Sequence, residues 1–292
     1  MTRHLHILLL AASLLLAGCA TWTPGWEEPP GPAPDVGAAH DAEAARAALR
    51  DAADGAQIDA AIADLEAALA TAPDHAALGL DLADAHILRG AAYTQGRRNK
   101  RNEFRRGIRH AEQIMGRNAE FRARVDAGQP IGEAASALGE DELRAMVLWV
   151  TGVFYYFREG LNPLQRVLQF DRLEQTRPVL EHALALDPEY EHGVLPFSLA
   201  IYYIAVPGFA GRDFDFADEL LDQAIAVPGT SLLPQWGRAK YLHVARGDRD
   251  AFRRDLEWVV AQDPRAADSP YYWNVFIQRS ARDLLDRMNE PF

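Results

Sequence analysis

The sequence predicts an all-α fold built from a divergent helical repeat. Apolar residues recur at helical spacing in almost every segment after residue 40, and no stretch shows the sustained alternation of a strand. Four segments also share a pattern of small and large residues that ends at proline or glycine. With 292 residues, of which 49% are hydrophobic and 25% charged, the chain can bury a core and fits one or two domains.

A secretory signal occupies the N-terminus. Its apolar run, from Ile7 to Leu16, follows a short polar start and is too short to span a bilayer as a stable helix. The run ends in the sequence LAGC, which resembles the lipobox of bacterial lipoproteins. We therefore expect residues 1–18 to be removed and Cys19 to carry lipid; the alternative is an ordinary signal peptide with a stray cysteine. Ala20 resembles an outer-membrane sorting signal.

A linker follows the cysteine. The stretch TPGWEEPPGPAPDVG, Thr23 to Gly37, is rich in proline and glycine, which predicts an extended spacer. We therefore divide the mature chain into a lipidated N-terminus and linker, 19–40, and a helical domain, 41–292.

The longest aromatic segment, LRAMVLWVTGVFYYF, predicts a helix covered on more than one side. Its residues Leu143, Val147, Val150, Phe154 and Phe157 are spaced by four, three, four and three, so they share one face. Other aromatic residues of the segment lie on the remaining faces. We expect this helix to be central to the fold.

The charge-free stretch from Gly193 to Gly211 raises the question of a membrane span. Pro196, Pro207 and nearby glycines leave about ten residues for a helix, whereas a span needs about 20. The stretch therefore predicts a buried core helix.

The repeat appears when helix ends are aligned. In each segment, residues 12, 8 and 5 positions before a helix-stopping proline or glycine are small, large and small, or close variants of that pattern. The aligned sets are Ala61, Leu65 and Ala68 before Pro73; Thr176, Leu180 and Ala183 before Pro188; Ala217, Leu221 and Ala224 before Gly229; and Phe252, Leu256 and Val259 before Pro264. The pattern resembles the second helix of a tetratricopeptide repeat, in which small residues let a partner helix approach closely.

Catalytic and metal-binding motifs are not found. The nine histidines form no HExxH, HxH or Cys/His cluster, and no nucleophile elbow or phosphate-binding glycine loop occurs. The acidic stretch GRDFDFADE lacks the pattern of a calcium loop, and Asp213 or Asp215 is expected to cap a helix. We expect no enzyme activity, no cofactor and no metal.

One basic island interrupts a chain with a net charge of −12, which disfavours nucleic acid as a partner. The island, Gly96 to His110, is interpreted as a solvated helix face with internal ion pairs. Contact with an acidic protein or with phospholipid headgroups is the alternative.

Aromatic residues are the candidates for a ligand site. Most are interpreted as core, but Tyr and Trp side chains that line a hole between helices make an apolar wall with polar tips. The candidates for a pore lining are Trp149, Tyr155, Tyr156, Tyr202, Tyr203 and Trp236.

Several segments carry a family resemblance, namely LWVTGVFYYF, LEHALALDPEYEHG, AVPGFAGRDFDFADELLDQAI and FIQRSARDLLDRMNEPF. With the lipobox, their order resembles the lipoprotein T component associated with TRAP transporters. The resemblance covers roughly residues 80–292.

The resemblance implies an all-helical periplasmic homotrimer with a pore or cleft through each protomer. It also implies a partner, the periplasmic solute-binding protein of a TRAP transporter, with which a small ligand, such as a hydrophobic one, is exchanged. The alternative function is a structural helical-repeat adaptor in outer-membrane or cell-wall assembly.

Overall fold

The computed structural model describes residues 23–27 and 41–290. Cys19, the signal segment and most of the expected linker lie outside these residues, so lipid attachment stays a prediction. The structure is 78% helical, and no strand occurs within the described ranges. The prediction of an all-α helical-repeat bundle is confirmed.

The helices follow one another with short connections. The first half of the body contains α1 (Ala42–Asp51), α2 (Gly55–Thr71), α3 (Ala76–Leu88), α4 (Arg97–Met115), α5 (Ala119–Asp126), α6 (Ile131–Ala134) and α7 (Leu143–Tyr155). The second half contains α8 (Pro163–Leu168), α9 (Phe170–Glu174), α10 (Thr176–Leu186), α11 (Val194–Ala205), α12 (Phe214–Ala226), α13 (Leu233–Gly237), α14 (Val244–Arg246), α15 (Arg249–Ala261) and α16 (Tyr271–Asp286). Turns of π-helix extend α3, α7 and α13, over Arg89–Tyr93, Tyr156–Gly160 and Arg238–His243.

Polar caps begin several of these helices. Asp54, Asn118 and Asp248 each accept a hydrogen bond from a backbone N–H of the first turn of the helix that follows. Asp213 does the same for α12, which confirms the capping prediction. Its acidic neighbour Asp215 pairs with Arg246 at 2.7 Å, so this part of the cluster is neutralised within the fold.

The four aligned segments form α2, α10, α12 and α15, and every pattern position in them is buried. Helix α2 packs against α1, and α12 packs against α11, as antiparallel neighbours joined by short connections. The repeat pattern therefore marks the faces on which these helices pair.

Helix α11 is the core helix expected between Gly193 and Gly211, with residues Leu195 to Tyr202 buried. A membrane crossing requires a longer apolar helix than any found in the described part of the chain.

The basic island forms α4, which is more deeply packed than a solvated face. Phe104 and Ile108 are fully buried, and a Cβ at Gly107 would come within 2.7 Å of the Ala83 carbonyl oxygen, so α3 and α4 approach closely. One ion pair does form within the island, between Arg106 and Glu103 at 3.8 Å, whereas Lys100 Nζ pairs outside it with Glu159 Oε2 at 2.5 Å.

The start of the expected spacer contacts the body. The Gly25 N–H donates to Glu112 Oε2 at 2.6 Å, and the Trp26 ring packs edge-on against Phe121 with centroids 5.5 Å apart. A Cβ at position 25 would lie 2.3 Å from the Arg109 carbonyl oxygen, so only glycine fits there. This docking differs from the extended conformation expected from Thr23, because buried Glu112 offers the backbone a charged acceptor.

Candidate functional site

A cavity of about 580 Å³ lies between the helices of the second half and α7. One wall is the face of α7 and its π-helical turn. The lining residues on this wall follow helical spacing, and they are Arg144, Val147, Leu148, Thr151, Phe154, Tyr155, Phe157, Arg158 and Glu159. From Arg144 to Arg158 the wall is about 21 Å long, at roughly 1.5 Å per residue.

Aromatic rings form much of the remaining lining and hold one another in place. Tyr155 stacks against Trp273 with centroids 6.3 Å apart, and Trp236 meets Tyr241 edge-on at 5.8 Å. Phe197 completes this wall, since a Cβ at Gly237 would lie 2.2 Å from its ring and glycine leaves it room. A largely apolar cavity of this size suits a small apolar or amphipathic ligand.

At one end of the cavity Asp84 and Arg144 already have polar partners. Asp84 accepts hydrogen bonds from Tyr272 Oη at 2.7 Å and Trp273 Nε1 at 2.6 Å, and Arg144 lies 2.8 Å from Asp81. Burial raises the pKa of the Asp84 carboxyl, although Arg144 and the two donors act in the opposite direction. Burial opposes the charge of Arg144, yet Asp84 and Asp81 raise the pKa of its guanidinium above the usual value.

At the other end, the π-helical turns of α7 and α13 meet. The Arg158 guanidinium lies 4.1 Å from the centroid of the Tyr241 ring. Arg166, on α8, donates from Nε to the Phe157 carbonyl oxygen at 3.0 Å and also donates to that of Arg158. Both π-helical turns therefore contribute to the cavity, in keeping with the frequent occurrence of such turns at functional sites.

The six aromatic residues predicted from the sequence are divided between the cavity and other positions. Tyr155 and Trp236 line the cavity. Trp149 is buried on another face of α7, where its Nε1 donates to Glu112 at 3.2 Å. Three tyrosines lie elsewhere as well: Tyr156 bonds Gln169, and Tyr202 packs edge-on against Tyr203 beside Leu173 and Val206.

The charged lining residues were not among the residues predicted from the sequence. For Arg144 and Arg158 the sequence does hold a signal, because their spacing follows the same face of α7 as Val147, Thr151 and Phe154. Arg166 lies on a separate short helix, and no periodicity in the sequence connects it to that face.

An exposed apolar patch borders the cavity. It consists of Leu164, Val167, Leu168 and Phe209, which are 65%, 74%, 63% and 88% exposed. Helix α8 carries three of these residues together with Arg166 of the cavity lining. Phe209 packs against Phe170 of α9, with ring centroids 5.9 Å apart. Exposed apolar residues in such a group mark contact surfaces in many proteins.

Over residues 23–27 and 41–290, no group of three or more His, Cys, Asp or Glu side chains is placed to hold a metal ion. The cavity has an apolar wall and charged ends, an arrangement suited to binding a small molecule.

Comparison with protein families gives a match over most of the chain. A family model described as TRAP transporter T-component matches residues 54–292. No curated protein matches the chain.

Proposed function

The chain belongs to the TRAP transporter T-component family, and from this premise we propose that it is a periplasmic lipoprotein that docks a TRAP-type solute-binding protein and binds or passes a small apolar ligand. The family is a transporter-associated component and not a known enzyme family. In our proposal the chain catalyses no reaction, and Cys19 anchors it to the periplasmic face of the outer membrane as a homotrimer.

The aromatic cavity carries the ligand-binding part of the proposal. Its wall along α7 is long, apolar in the middle and closed by rings that brace one another. Such a wall excludes water from a hydrocarbon ligand, and each buried methylene contributes about 0.8 kcal/mol.

Filling the cavity tests this part of the proposal. Thr151 lines the cavity, and its hydroxyl bonds only the Val147 carbonyl of its own helix, so we expect Thr151→Trp to fold while occupying ligand space. Binding of the neutral fluorescent probe N-phenyl-1-naphthylamine should weaken at least about tenfold. Thr71→Trp is the matched control, because Thr71 makes the same kind of bond to Ala68 on an exposed face outside the cavity. Equal probe binding by both variants contradicts a ligand site here.

The apolar patch is the proposed docking face for the solute-binding protein. It is the most exposed group of large apolar side chains in the described residues, and it borders the cavity through Arg166. A partner bound there faces the cavity, which is the geometry that ligand exchange requires.

Charged substitutions in the patch test the docking face. We expect Val167→Asp and Phe209→Asp to weaken the affinity for the solute-binding protein from the same bacterium at least about tenfold, measured by calorimetry, because each places a charge in a desolvated contact. Trp258→Asp, at a 37% exposed position on α15, is the control and should leave the affinity unchanged. Recovery of only wall or barrel-assembly proteins from solubilised envelope supports the structural adaptor instead.

A further inference from the structure

The two ends of the cavity differ in how their charges are balanced. At the Asp84 end, Arg144 pairs with Asp81 and approaches Asp84 to 3.7 Å. At the opposite end, the one lining carboxylate, Glu159, is already bonded to Lys100. No described carboxylate pairs with Arg158 or Arg166, which line that same end.

The two arginines lie close together. Arg166 reaches the carbonyl oxygens that end the π-helical turn, and one of these belongs to Arg158 itself. Burial lowers the pKa of Arg166 from its usual value, and the positive charges of Arg158 and Arg97 act in the same direction. The ordinary pKa of arginine is so high that Arg166 stays charged, and an added anion would relieve the repulsion.

The geometry of Arg158 leaves its donors available. Its guanidinium carbon lies over the Tyr241 ring, and among the described residues no acceptor is hydrogen-bonded to its N–H groups. The five N–H donors of a guanidinium lie in its plane and match the two oxygens of a carboxylate. Arg158 is both exposed and part of the cavity lining, so a charged ligand group can reach it from solvent.

We propose that the ligand of the cavity is a long-chain carboxylate, whose acidic head is bound by Arg158 and Arg166 and whose hydrocarbon chain lies along α7. The proposal rests on the ligand-binding part of the proposed function and names its substrate class. The wall of about 21 Å between Arg158 and Arg144 suits one extended chain. Thr151 adds no free donor to the middle of this wall, because its hydroxyl bonds the carbonyl of Val147 at 2.8 Å.

Competition among matched amphiphiles tests the head group. Dodecanoate, 1-dodecanol and dodecylamine, each below its micelle concentration, displace N-phenyl-1-naphthylamine from the purified mature protein. We expect dodecanoate to bind at least about tenfold more tightly than the alcohol, since hydrogen bonds to charged groups are among the strong ones. Equal affinity for acid and alcohol, or tighter binding of the amine, overturns the head-group proposal and leaves the proposed function standing. Failure of all three to bind contradicts the proposed function itself.

Variants at Arg158 and Arg166 test where the carboxylate head group binds. We expect Arg158→Gln and Arg166→Gln each to lower the preference for dodecanoate over dodecanol several-fold, and the double variant to abolish it. Arg158→Lys should retain part of the preference, because it keeps the charge and loses the two-pronged geometry. Arg254→Gln makes the same change of charge at an exposed position outside the cavity and should change nothing.

The ratio of the affinities for dodecanoate and dodecanol also distinguishes a binding defect from a folding defect. Arg166 caps a helix end, so its replacement could loosen the fold, but that would weaken acid and alcohol alike. An unchanged acid-to-alcohol ratio in the double variant overturns the assignment of the head to these residues. Dodecyl phosphate is a fourth competitor. If it binds as tightly as dodecanoate but responds differently to Arg158→Lys, the site is assigned to phosphate monoesters.

Discussion

At the scale of single residues, the buried His86 and the half-buried His110 have pKa values shifted in opposite directions. His86 Nδ1 lies 2.9 Å from Glu103, and its ring stacks on that of His110 with centroids 5.9 Å apart. Burial lowers the pKa of His86, but hydrogen bonds to Glu103 and Glu66 outweigh burial, so the pKa is raised. Burial and the neighbouring charge of His86 lower the pKa of His110 to about 4. Between pH 4 and 6.5, His86 is therefore mostly charged and His110 mostly neutral.

The two residues make opposite contributions to pH-dependent stability. The fold favours the neutral form of His110. This preference contributes its full stability above pH 6.5, the approximate pKa of histidine in the unfolded chain, and the contribution is lost as the pH falls toward the folded-state pKa of about 4. The charge of His86 contributes fully below its unfolded pKa, and its contribution is lost as the pH rises through the raised folded pKa.

Replacing His110 should remove its contribution to the loss of stability at acidic pH. We expect His110→Phe to gain stability relative to the wild type as the pH is lowered from 6.5 to 4, by up to about 3 kcal/mol in urea unfolding. His75→Phe, at an exposed position, is the control. A difference between His110→Phe and wild type that does not vary with pH contradicts a neutral His110.

At the scale of helices, the repeat pattern predicted which faces pair. Ala224, on α12, is buried against the chain near Gly193, where a Cβ would lie 2.6 Å from the Ala224 carbonyl oxygen. Gly193 itself has a φ of 90°, which suits glycine. The close approach explains why the pattern requires small residues at this offset.

A large side chain at that offset should force the helices apart. We expect Ala224→Trp to lower the free energy of unfolding by about 1–3 kcal/mol or more through overpacking, measured by urea denaturation. Ala226→Trp, on the same helix at an exposed position, should stay within about 0.5 kcal/mol of wild type. Equal stability of the two variants argues against the repeat register.

The π-helical turns could not be predicted in the same way. A π-helical turn takes one more residue than an α-helical turn, and no residue type in the segments YFREG or RAKYLH signals that change. Yet these turns place Phe157, Arg158 and Tyr241 at the cavity. Helical spacing extends along the face of α7 to Arg158, but it predicts neither the π-helical turn that carries Arg158 nor the contribution of Arg166.

At the scale of the whole molecule, the sequence was sufficient for the fold class and the family but not for the cavity. Trp149 and Tyr155 lie on the same helix, and both are aromatic residues with a polar tip. Trp149 faces Glu112 of α4, whereas Tyr155 faces the cavity and Trp273 of α16. The difference depends on which helices pack around α7, and contacts between distant segments decide that.

Loss of the proposed lipid anchor should leave the helical body folded. We expect Cys19→Ala to move the protein from the membrane to the soluble periplasmic fraction without loss of helical circular dichroism, because the described α-helices begin only at Ala42. Fractionation with a high-salt wash measures this. Retention of the variant in the washed membrane pellet contradicts lipid attachment at this residue.

If Cys19 carries lipid as proposed, the docking of Gly25 onto Glu112 limits how far the body can move from the bilayer. Six residue steps separate Cys19 from Gly25, and a fully extended chain covers about 20 Å over that length. On an acylated chain, the side of the body formed by α4 and α5 therefore stays within that distance of the bilayer, which is less than the diameter of a small domain. The length of the proline-rich segment after Gly25 does not change this limit. Under the proposed function, a solute-binding protein therefore meets this one close to the lipid surface, and its search for the partner is confined to a layer beside the membrane.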